Sequence, residues 1–563
     1  MEQPYDDSGV PLSYQPEKLE PYNHNLENSD EVNDSPIEEV RLTVSIKDDP
    51  TLPCLTFRTW FLGITACAAL SFLNQFFSFR QNSLSLTSVS AQIAVLPLGK
   101  FMAAVLPKKA VRIPGTKWSF SLNPGPFNLK EHVLITIFAN AGSNGVYAIN
   151  IVTIVMAFYH RHIHPLAAML LTLTTQMLGY GWAGIFRKFL VDSPYMWWPA
   201  NLVQVSLFRI IWQQTKATFR DKFDDVHTRL MKKNYDAVPQ WWFYSLSLIM
   251  IGLAMVACEG FGGQLQLPFW GVMLAIGIVL FFMLPIGVIT ATTNQQPGLN
   301  VISELIIGYL YPGRPLANVV FKTYGYVSLV QAITFLSDFK LGHYMKIPPK
   351  SMFIVQLVGT VVASSVYFGT AWWLLTSMDH LCHPSKLPVG SQWTCPGYNV
   401  FYNASIIWGV VGPLRMFGRL GLYVKMNYFF LIGLLAPVPV WILSRMFPEK
   451  KWVRLINMPI IISGAGNMLQ ATVVNYICWI TIGVFFNIYV YRRYQSWWAR
   501  HNYILSSGLD AGVAFMAILC YFTLQIRDIN GMRWWGLELD DHCPLASCPT
   551  APGIQVKDCP IFH

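Results

Sequence analysis

The sequence predicts an all-α integral membrane protein that crosses the bilayer many times, with about 11 to 15 transmembrane or re-entrant helices and an internal repeat. Three observations lead to this fold class. Hydrophobic residues make up 53% of the chain and charged residues only 12%, against about 25% in soluble domains. Tryptophans occur in pairs near the ends of apolar runs, as at Trp197-Trp198 and Trp372-Trp373, where aromatic rings anchor at the headgroup level. Many apolar runs are also long enough to cross about 30 Å of hydrocarbon.

The first 50 residues differ from the rest of the chain. They hold 13 acidic and 3 basic residues, a net charge of −10, so that residues 51–563 carry +20. With few aromatic residues and no apolar run, this segment cannot bury enough surface to offset the entropy of ordering. A basic start and an early apolar stretch, which define a signal peptide, are lacking. We therefore expect residues 1–50 to form an acidic, disordered cytosolic tail.

Eleven stretches after the tail have the length and composition of good spans. Four further runs are shorter or interrupted, and each fits either a tilted span or a re-entrant half-helix. The good spans lie near 55–77, 86–106, 131–157, 166–186, 241–258, 267–290, 317–336, 352–376, 428–446, 470–490 and 507–525, and the ambiguous runs near 196–212, 299–312, 402–414 and 456–468.

Basic residues predict the orientation of these spans, because short cytosolic loops hold an excess of Lys and Arg. With the tail inside, basic loops fall on the inside after the second and the fourth span, as expected. This alternation fails at the loop with six Lys or Arg between Lys216 and Lys233, which would lie outside if the run at 196–212 crosses. Either the run at 196–212 does not cross, or chain that would restore the alternation is absent there. Five parts follow: the tail, a first membrane part, a basic cytosolic loop, a second membrane part and a cysteine-containing C-terminal tail, at 1–50, 51–213, 214–240, 241–526 and 527–563.

The cysteines agree with this orientation. Two groups are distinguished: five cysteines in or beside spans, expected to be small apolar core residues, and five in the segments placed outside, where disulfides can form. Within the external group, Cys382 and Cys395 are the predicted pair, while the pairing of the other three stays open. The first group is Cys54, Cys67, Cys258, Cys478 and Cys520, and the second is Cys382, Cys395, Cys543, Cys548 and Cys559.

Two interruptions resemble each other and carry the candidate substrate site. The stretch SLNPGPFNLKEHV at 121–133 has Pro-Gly, then Asn, then Glu at the start of a span, and QQPGLNVISEL at 295–305 repeats this order. Paired Gly/Pro breaks in two halves of a chain point to the central site of a transporter. Two interfacial turns with helix caps explain the pattern equally well. The predicted substrate-binding residues are Asn123, Gly125, Asn128, Gly298 and Asn300.

Ionisable side chains within spans are the candidates for proton coupling, since burying a charge in the bilayer is costly. Glu304 ranks first because it lies deepest in an apolar run. Glu131 and His132 follow, then Glu259, although an acid in the first turn of a helix, such as Glu131, also complements the helix dipole without any transport role. Asp338 and His343 rank behind these.

Several function classes find no support. Zinc-protease HExxH, P-loop, GxSxG and CxxC zinc spacings are all missing from the sequence, so neither an enzyme, a nucleic-acid binder nor an ATP-driven pump is indicated. The histidines of Tyr159–His164 alternate in a pattern that fits a solvated loop better than a metal site. No cofactor and no metal are therefore expected.

Long motifs in this chain resemble the plant oligopeptide transporter family. The resemblance rests on SLNPGPFNLKEHVLITIFANAG at 121–142 and KIPPK at 346–350, with further matches at 181–191, 196–209, 295–315, 334–349 and 543–554. It implies a proton-coupled carrier, in the plasma membrane, of small peptides, with glutathione and metal chelates as alternative cargoes. Lys350 stands where the family usually has Arg, and Met468–Thr472 lacks two prolines that the family has.

The resemblance also implies a gap. Family members carry additional spans that would fall between about Trp212 and Lys216, where the charge alternation fails independently. Three hypotheses therefore stay open: a peptide carrier, a carrier of glutathione or metal chelates, and a shortened form that transports nothing and at most associates with full-length relatives.

Overall fold

The computed structural model describes the chain from Asp48 to Ile529 with gaps, together with Ser35, Ile37, 40–41 and 44–45. The basic segment through 225, the Met468–Thr472 stretch, most of the acidic tail and the C-terminal cysteines lie outside the described residues. The gaps after Asp48 are 82, 109, 113–118, 203, 206–225, 379, 384–385, 389–390, 419–420, 422, 448–449, 451–452, 454–455, 468–472, 525 and 527–528.

The first half is helical, as predicted, and a threonine side chain caps its first helix. Thr56 caps the first helix by accepting a hydrogen bond from the backbone N–H of Thr59. The predicted span 131–157 is broken: one helix ends at Ser143 and the next begins at Ile149. The helices are α1 (Phe57–Ser78), α2 (Ser88–Val105), α3 (Leu129–Ser143), α4 (Ile149–Thr153) with a π-helical turn (Ile154–Phe158), α5 (Pro165–Leu190) and α6 (Val226–Asn234).

The second half contains the longest helix and several short ones. A long helix, α10, has 30 residues and is the most buried of the spans. The helices are α7 (Gln240–Glu259), α8 (Phe269–Thr293), α9 (Asn300–Leu310), α10 (Pro315–Tyr344), α11 (Pro349–Ser377), α12 (Pro396–Ile406) with a π-turn (Ile407–Val411), α13 (Pro413–Phe417), α14 (Tyr428–Leu435), α15 (Pro437–Met446), α16 (Met458–Asn467), α17 (Val473–Val484) with a π-turn (Phe485–Val490), α18 (Tyr491–Arg493) and α19 (Gln495–Thr523).

Eight of the described helical stretches are long and apolar enough to span a membrane, and α5, with 26 residues, is long enough as well. The predicted fold class, an all-α multi-pass membrane protein, is therefore confirmed. One small addition was not predicted: strands β1 (Ala110–Arg112) and β2 (Ser119–Ser121) pair antiparallel in the loop before α3. The ambiguous run at 299–312 is the short helix α9.

The packed part of the molecule is built around α10. It contacts α5, α8, α9 and α11, while α1 and α3 pack on each other and on α11. In the most apolar window of α10, 83% of the residues are buried, against none in the stretch Val424–Met446. The helices that follow Tyr423 thus present most of their apolar side chains outward, and the functional groups are to be sought in the first part of the fold.

The predicted disulfide between Cys382 and Cys395 is confirmed. It closes a loop that lies over the end of α1, where the N–H of Cys395 donates to the carbonyl of Phe79. Of the cysteines predicted to be apolar core residues, Cys67 and Cys258 are buried, but Cys478 is exposed because its helix α17 has few packing partners in the described structure.

Candidate functional site

The segment before α3 forms a closed structural unit with the start of α1. Asn128 and Glu131 make a capping box: the Asn128 side chain accepts from the Glu131 N–H at 3.0 Å, and Glu131 Oε2 accepts from the Asn128 N–H at 3.0 Å. The amide of Asn128 also donates to the carbonyl of Pro53. Gly125 has a φ of +149°, which side-chain-bearing residues rarely adopt. The motif therefore fixes the entry of the chain into the membrane.

At the centre of this unit is a buried ion pair that the sequence analysis did not identify. Arg58, fully buried in the first turn of α1, contacts both carboxylate oxygens of Glu131, at 3.0 and 3.1 Å. Its remaining N–H groups donate to Asn123 Oδ1 at 3.1 Å and to the Gly125 carbonyl at 2.8 Å. The predicted residues Asn123, Gly125 and Glu131 are thus brought together, but around an arginine rather than around a cavity.

His132 and Lys130, on either side of Glu131, are also held by partners. The His132 Nε2 atom lies 2.7 Å from the carbonyl of Gln92 in α2. Lys130 forms a buried ion pair with Asp48 at 3.0 Å and contacts the hydroxyl of Tyr235. These contacts join the last residues of the tail, α3 and the loop after α6.

A second buried ion pair contains the first-ranked acid of the sequence analysis. Glu304 of α9 accepts from Lys322 of α10 at 2.7 Å, and both side chains are more than nine-tenths buried. The ammonium group of Lys322 lies 6.0 Å from the ring centre of Tyr147 and 5.3 Å from that of Phe401. Glu304 is therefore not a lone acid but one half of a pair enclosed by aromatic rings.

The break between α3 and α4 opens a polar cavity of about 450 Å³. Its wall contains amides, serine hydroxyls and tyrosines, with no charged side chain among the described residues that line it. These are Asn74, Gln75, Ser78, Ser83, Leu84, Ser85, Ser143, Asn144, Gly145, Val146, Tyr147, Asn150, Gln176, Tyr326, Val327, Val330, Gln331, Tyr367 and Tyr398. The volume falls within the range of about 300–1,000 Å³ that is usual for small-molecule sites.

The second interruption of the chain lies next to one wall residue of this cavity. Gly298, just before α9, lies against Tyr326, a cavity-lining residue whose ring is 5.8 Å from that of Tyr147. Asn300 begins α9, and its buried Oδ1 has no hydrogen-bond partner among the described residues. The break at 144–148 therefore lines the cavity, whereas the break at 294–299 touches it only through the contact of Gly298 with Tyr326, and the Glu304–Lys322 pair lies close to Tyr147.

None of the five predicted substrate residues is among the described residues that line this cavity, and three of them lie far from it. Asn123, Gly125 and Asn128 precede α3, whereas the cavity begins at Ser143, about 22 Å further along the helix axis. Glu259 lies elsewhere too: it is exposed and accepts a hydrogen bond from the N–H of Phe269 at the start of α8. The signal for the cavity was Ser143-Asn144-Gly145, a turn sequence inside an apolar run, in which Gly145 adopts a φ of +67°.

The opposite end of α10 carries a group of cationic side chains bound to carbonyl oxygens. Lys340 donates to the carbonyls of Val191 and Ser193, at 2.6 and 3.0 Å. In the KIPP motif, Lys346 donates to the carbonyl of Tyr344 and to Nδ1 of His227 in α6, the latter at 2.7 Å. The motif therefore ties α6 to the end of the most buried helix.

The contact between Lys346 and His227 predicts a loss of stability in acid. Burial, together with the ammonium groups of Lys346 and Lys340, holds the pKa of His227 well below its ordinary value of 6.5. Below its ordinary pKa, the imidazole therefore binds a proton in the unfolded chain but not in the folded chain. The free energy of unfolding should be unaffected above about pH 6.5 and should decrease below it, by up to about 1.4 kcal/mol per pH unit. His227→Gln, which keeps an acceptor for Lys346, should show a shallower loss of stability in acid than the wild type. Thermal unfolding of both proteins in detergent at a series of pH values checks it, and equal acid-side slopes would contradict it.

Comparison with known proteins identifies strong similarity along nearly the whole chain. A family model described as OPT oligopeptide transporter protein matches residues 54–218 and 209–524. The chain is 49% identical to Oligopeptide transporter 1 of Arabidopsis thaliana, with 95% of this chain and 96% of that protein covered. It is 48% identical to Oligopeptide transporter 5 and 41% to Oligopeptide transporter 7 of the same plant, covering 95% and 94% of this chain and 97% and 93% of those proteins.

The same comparison shows that this chain lacks an internal segment that its relatives have. The alignment with the first of these relatives extends over 727 positions, whereas 95% of 563 residues is only about 535. About 190 aligned positions therefore have no residue in this chain. The two segments that match the family model meet at 209–218, which is where the sequence analysis placed the absent block.

Proposed function

Because this chain belongs to the OPT oligopeptide transporter family, we propose that it carries small peptides across a membrane together with protons, by secondary active transport. The observation that supports this function best is the uncharged polar cavity at the break between α3 and α4. Irregular backbone at membrane depth is tolerated where it lines a water-filled cavity or is buried in protein, and substrate sites of secondary transporters lie at such breaks.

The wall of the cavity suits a ligand whose common feature is the peptide backbone. Amide side chains such as Gln75, Gln176 and Gln331 both donate and accept hydrogen bonds, as a peptide group requires. Tyrosines offer flat apolar surface beside a hydroxyl group, so they accommodate different side chains. A wall of this kind recognises small peptides without selecting a particular sequence.

The Glu304–Lys322 pair supplies the charge that the cavity wall lacks. A peptide carboxylate that reaches past Tyr147 competes with Glu304 for the ammonium group of Lys322. Once Glu304 has lost its cation, its carboxylate is buried without compensation and takes up a proton. Peptide binding and proton binding are then linked through one pair of side chains.

The cavity is lined by Ser83, Leu84 and Ser85 of the turn after α1, which the charge pattern assigns to the outside of the cell. A peptide therefore enters from the external side, and the proton gradient across the plasma membrane drives it inward. The Arg58–Glu131 unit and the KIPP contacts lie at the cytosolic end of the fold. They keep the helices in place while the cavity opens first to one side of the membrane and then to the other.

The absent block gives a second candidate function a specific basis. About 190 positions of the relatives have no counterpart here, and the helices from Val424 onward present apolar surface that such a block would cover. A shortened chain of this kind would transport nothing and would associate with full-length relatives. Sequencing the transcript across codons 208–220 distinguishes a junction of distant exons from coding sequence omitted by the gene prediction.

Uptake measurements test the transport function directly. In yeast cells or liposomes that contain the protein, we expect accumulation of radiolabelled tetra-alanine that increases with external acidity and collapses with an uncoupler. Competition by tripeptides, pentapeptides, glutathione and a metal–nicotianamine chelate defines the cargo. If none of these labelled compounds accumulates above the level in empty membranes, the chain is not a carrier of this class.

A further inference from the structure

Asp338 is a third buried carboxyl, and its surroundings differ from those of Glu131 and Glu304. It lies on α10 and contacts α3 and α11 through two side-chain amides. Asn140 Nδ2 donates to Oδ1 at 2.8 Å, and Gln356 Nε2 donates to Oδ2 at 2.7 Å. All three side chains are more than nine-tenths buried. The carboxyl is thus removed from bulk water, with one amide donor for each oxygen.

No cation pairs with Asp338 in the part of the chain that the structure describes, whereas Arg58 and Lys322 pair with the other two acids. The charged groups on its own and neighbouring helices face other partners. Arg187 of α5 lies over the ring of Phe339, Lys340 donates to the carbonyls of Val191 and Ser193, and His343 contacts Thr228. A carboxyl held in this way lacks the partner that would fix its negative charge.

The two amides can form hydrogen bonds with Asp338 whether its carboxyl group is ionised or protonated. A carboxylate needs donors, which Asn140 and Gln356 supply through their NH₂ groups. A carboxylic acid needs one acceptor for its own O–H, and each amide also carries a carbonyl oxygen. The buried Oε1 of Gln356 has no partner in the described structure, so rotation of this amide offers an acceptor without breaking another hydrogen bond.

Asp338 lies just beyond the cavity on the side of the KIPP motif. Asn140 is one helical turn from Ser143 and Asn144, both of which line the cavity. On α11, Thr360 is one turn from Gln356 and is bonded to Tyr180 at 2.8 Å, and Tyr180 is 3.4 Å from Gln331 of the cavity wall. Towards the opposite end, Gln204 donates to Asn140 at 3.4 Å. Polar side chains therefore lie near Asp338 in both directions along the fold.

We propose that Asp338 is a proton-binding site, through which the proton that enters the cavity with the peptide passes to the cytosolic side. A hydronium ion that passes from the cavity to Asp338 gives its proton to the carboxylate, which leaves a neutral acid and one water molecule. The reverse step releases the proton to water at the other end once that end is open. This role rests on the proposed transport function, but the protonation of Asp338 can be measured without transport.

Asp338→Asn keeps the size of the side chain and removes the proton site, and Asp236→Asn, at an exposed ion pair with Lys350, is the matched control. Both variants and the wild type are reconstituted in liposomes with radiolabelled tetra-alanine. We expect Asp338→Asn to lose gradient-driven accumulation by about tenfold or more, the scale of losing an essential proton acceptor. Exchange of labelled for unlabelled peptide without a gradient should persist, because a permanently neutral side chain mimics the protonated form. The control should retain both activities.

Infrared spectroscopy of the purified protein supplies a readout that does not depend on transport. As the pH is lowered, the wild type should gain the stretching band of a protonated buried carboxyl, which Asp338→Asn lacks and Asp338→Glu displaces. The glutamate variant assigns the band even where the asparagine variant fails to fold. A band that neither substitution alters would overturn the proposal.

The transport results test the proton site at Asp338 and the transport function separately. Wild-type accumulation that Asp338→Asn retains contradicts the proton site while the transport function stands. An Asp338→Asn protein that folds but loses exchange together with accumulation also contradicts it, since a purely structural residue behaves in this way. A wild type that transports nothing yet shows the Asp338 band contradicts the transport function and leaves the proton site in place.

Discussion

Arg58→Met is expected to destabilise the protein by about 3–5 kcal/mol, the usual effect of breaking a buried ion pair from one side. The substitution leaves the carboxylate of Glu131 without a cation in a position that is fully buried. It also removes a donor from Asn123 Oδ1, which keeps only the 3.4 Å contact with the Gly125 N–H among the described residues, and from the Gly125 carbonyl. The measurement is thermal unfolding of the purified protein in detergent.

The matched control for this experiment is Lys350→Met. Lys350 pairs with Asp236 at 2.8 Å, but 43% of the lysine side chain and 84% of the aspartate are exposed. Such a pair contributes about 0–1 kcal/mol, so its loss should be barely measurable. The double variant Arg58→Met/Glu131→Leu removes both charges and should recover much of the lost stability. If Arg58→Met unfolds at the same temperature as Lys350→Met, the buried pair of Arg58 and Glu131 does not stabilise the fold in the way proposed.

Neutralising either member of the Glu304–Lys322 pair is expected to abolish proton-driven peptide uptake. Lys322→Met removes the group that would bind the peptide carboxylate, and Glu304→Gln removes the acid that would take up the proton. Each single change also leaves a buried charge without its partner, at a cost of about 3–5 kcal/mol. Loss of activity in the single variants alone would therefore not separate coupling from folding.

The double variant Lys322→Met/Glu304→Gln makes that separation. It contains no unpaired charge, so its unfolding temperature should return close to that of the wild type. Its peptide uptake, in contrast, should no longer increase with external acidity. Uptake and unfolding are measured on the same preparations. Proton-dependent uptake that survives Glu304→Gln would show that the leading assignment of this residue is wrong.

The sequence was sufficient for the fold class, because hydropathy and charge determine which segments enter a bilayer. It was also sufficient for the disulfide, which depends on local spacing and on the side of the membrane, while the cap at Asn128 was one of two interpretations that the sequence left open. The position of the absent block was predicted from a failed charge alternation, and the family match breaks at the same place.

The partners of the acids could not be predicted, because they lie on other helices. Lys322 follows Glu304 by 18 residues across a turn, and Arg58 precedes Glu131 by 73. Only the presence of Arg58 at the start of an apolar span indicated that some acid must face it. The cavity was missed for a different reason. Apolar residues on both sides of Ser143 hide a break that the turn sequence at Asn144-Gly145 produces.

The continuity of α10 limits how this protein can alternate its access. One unbroken helix of 30 residues carries Lys322 beside the cavity, Asp338 beyond it and the anchor of the KIPP motif at its end. A helix rises 1.5 Å per residue, so Lys322 and Asp338 stay about 24 Å apart whichever way the cavity opens. Spin labels placed along α10 should therefore keep constant mutual distances during turnover. Labels on the broken α3–α4 unit should instead change their distance to α10. Access to the cavity would then change by movement of the α3–α4 unit, while α10 stays rigid.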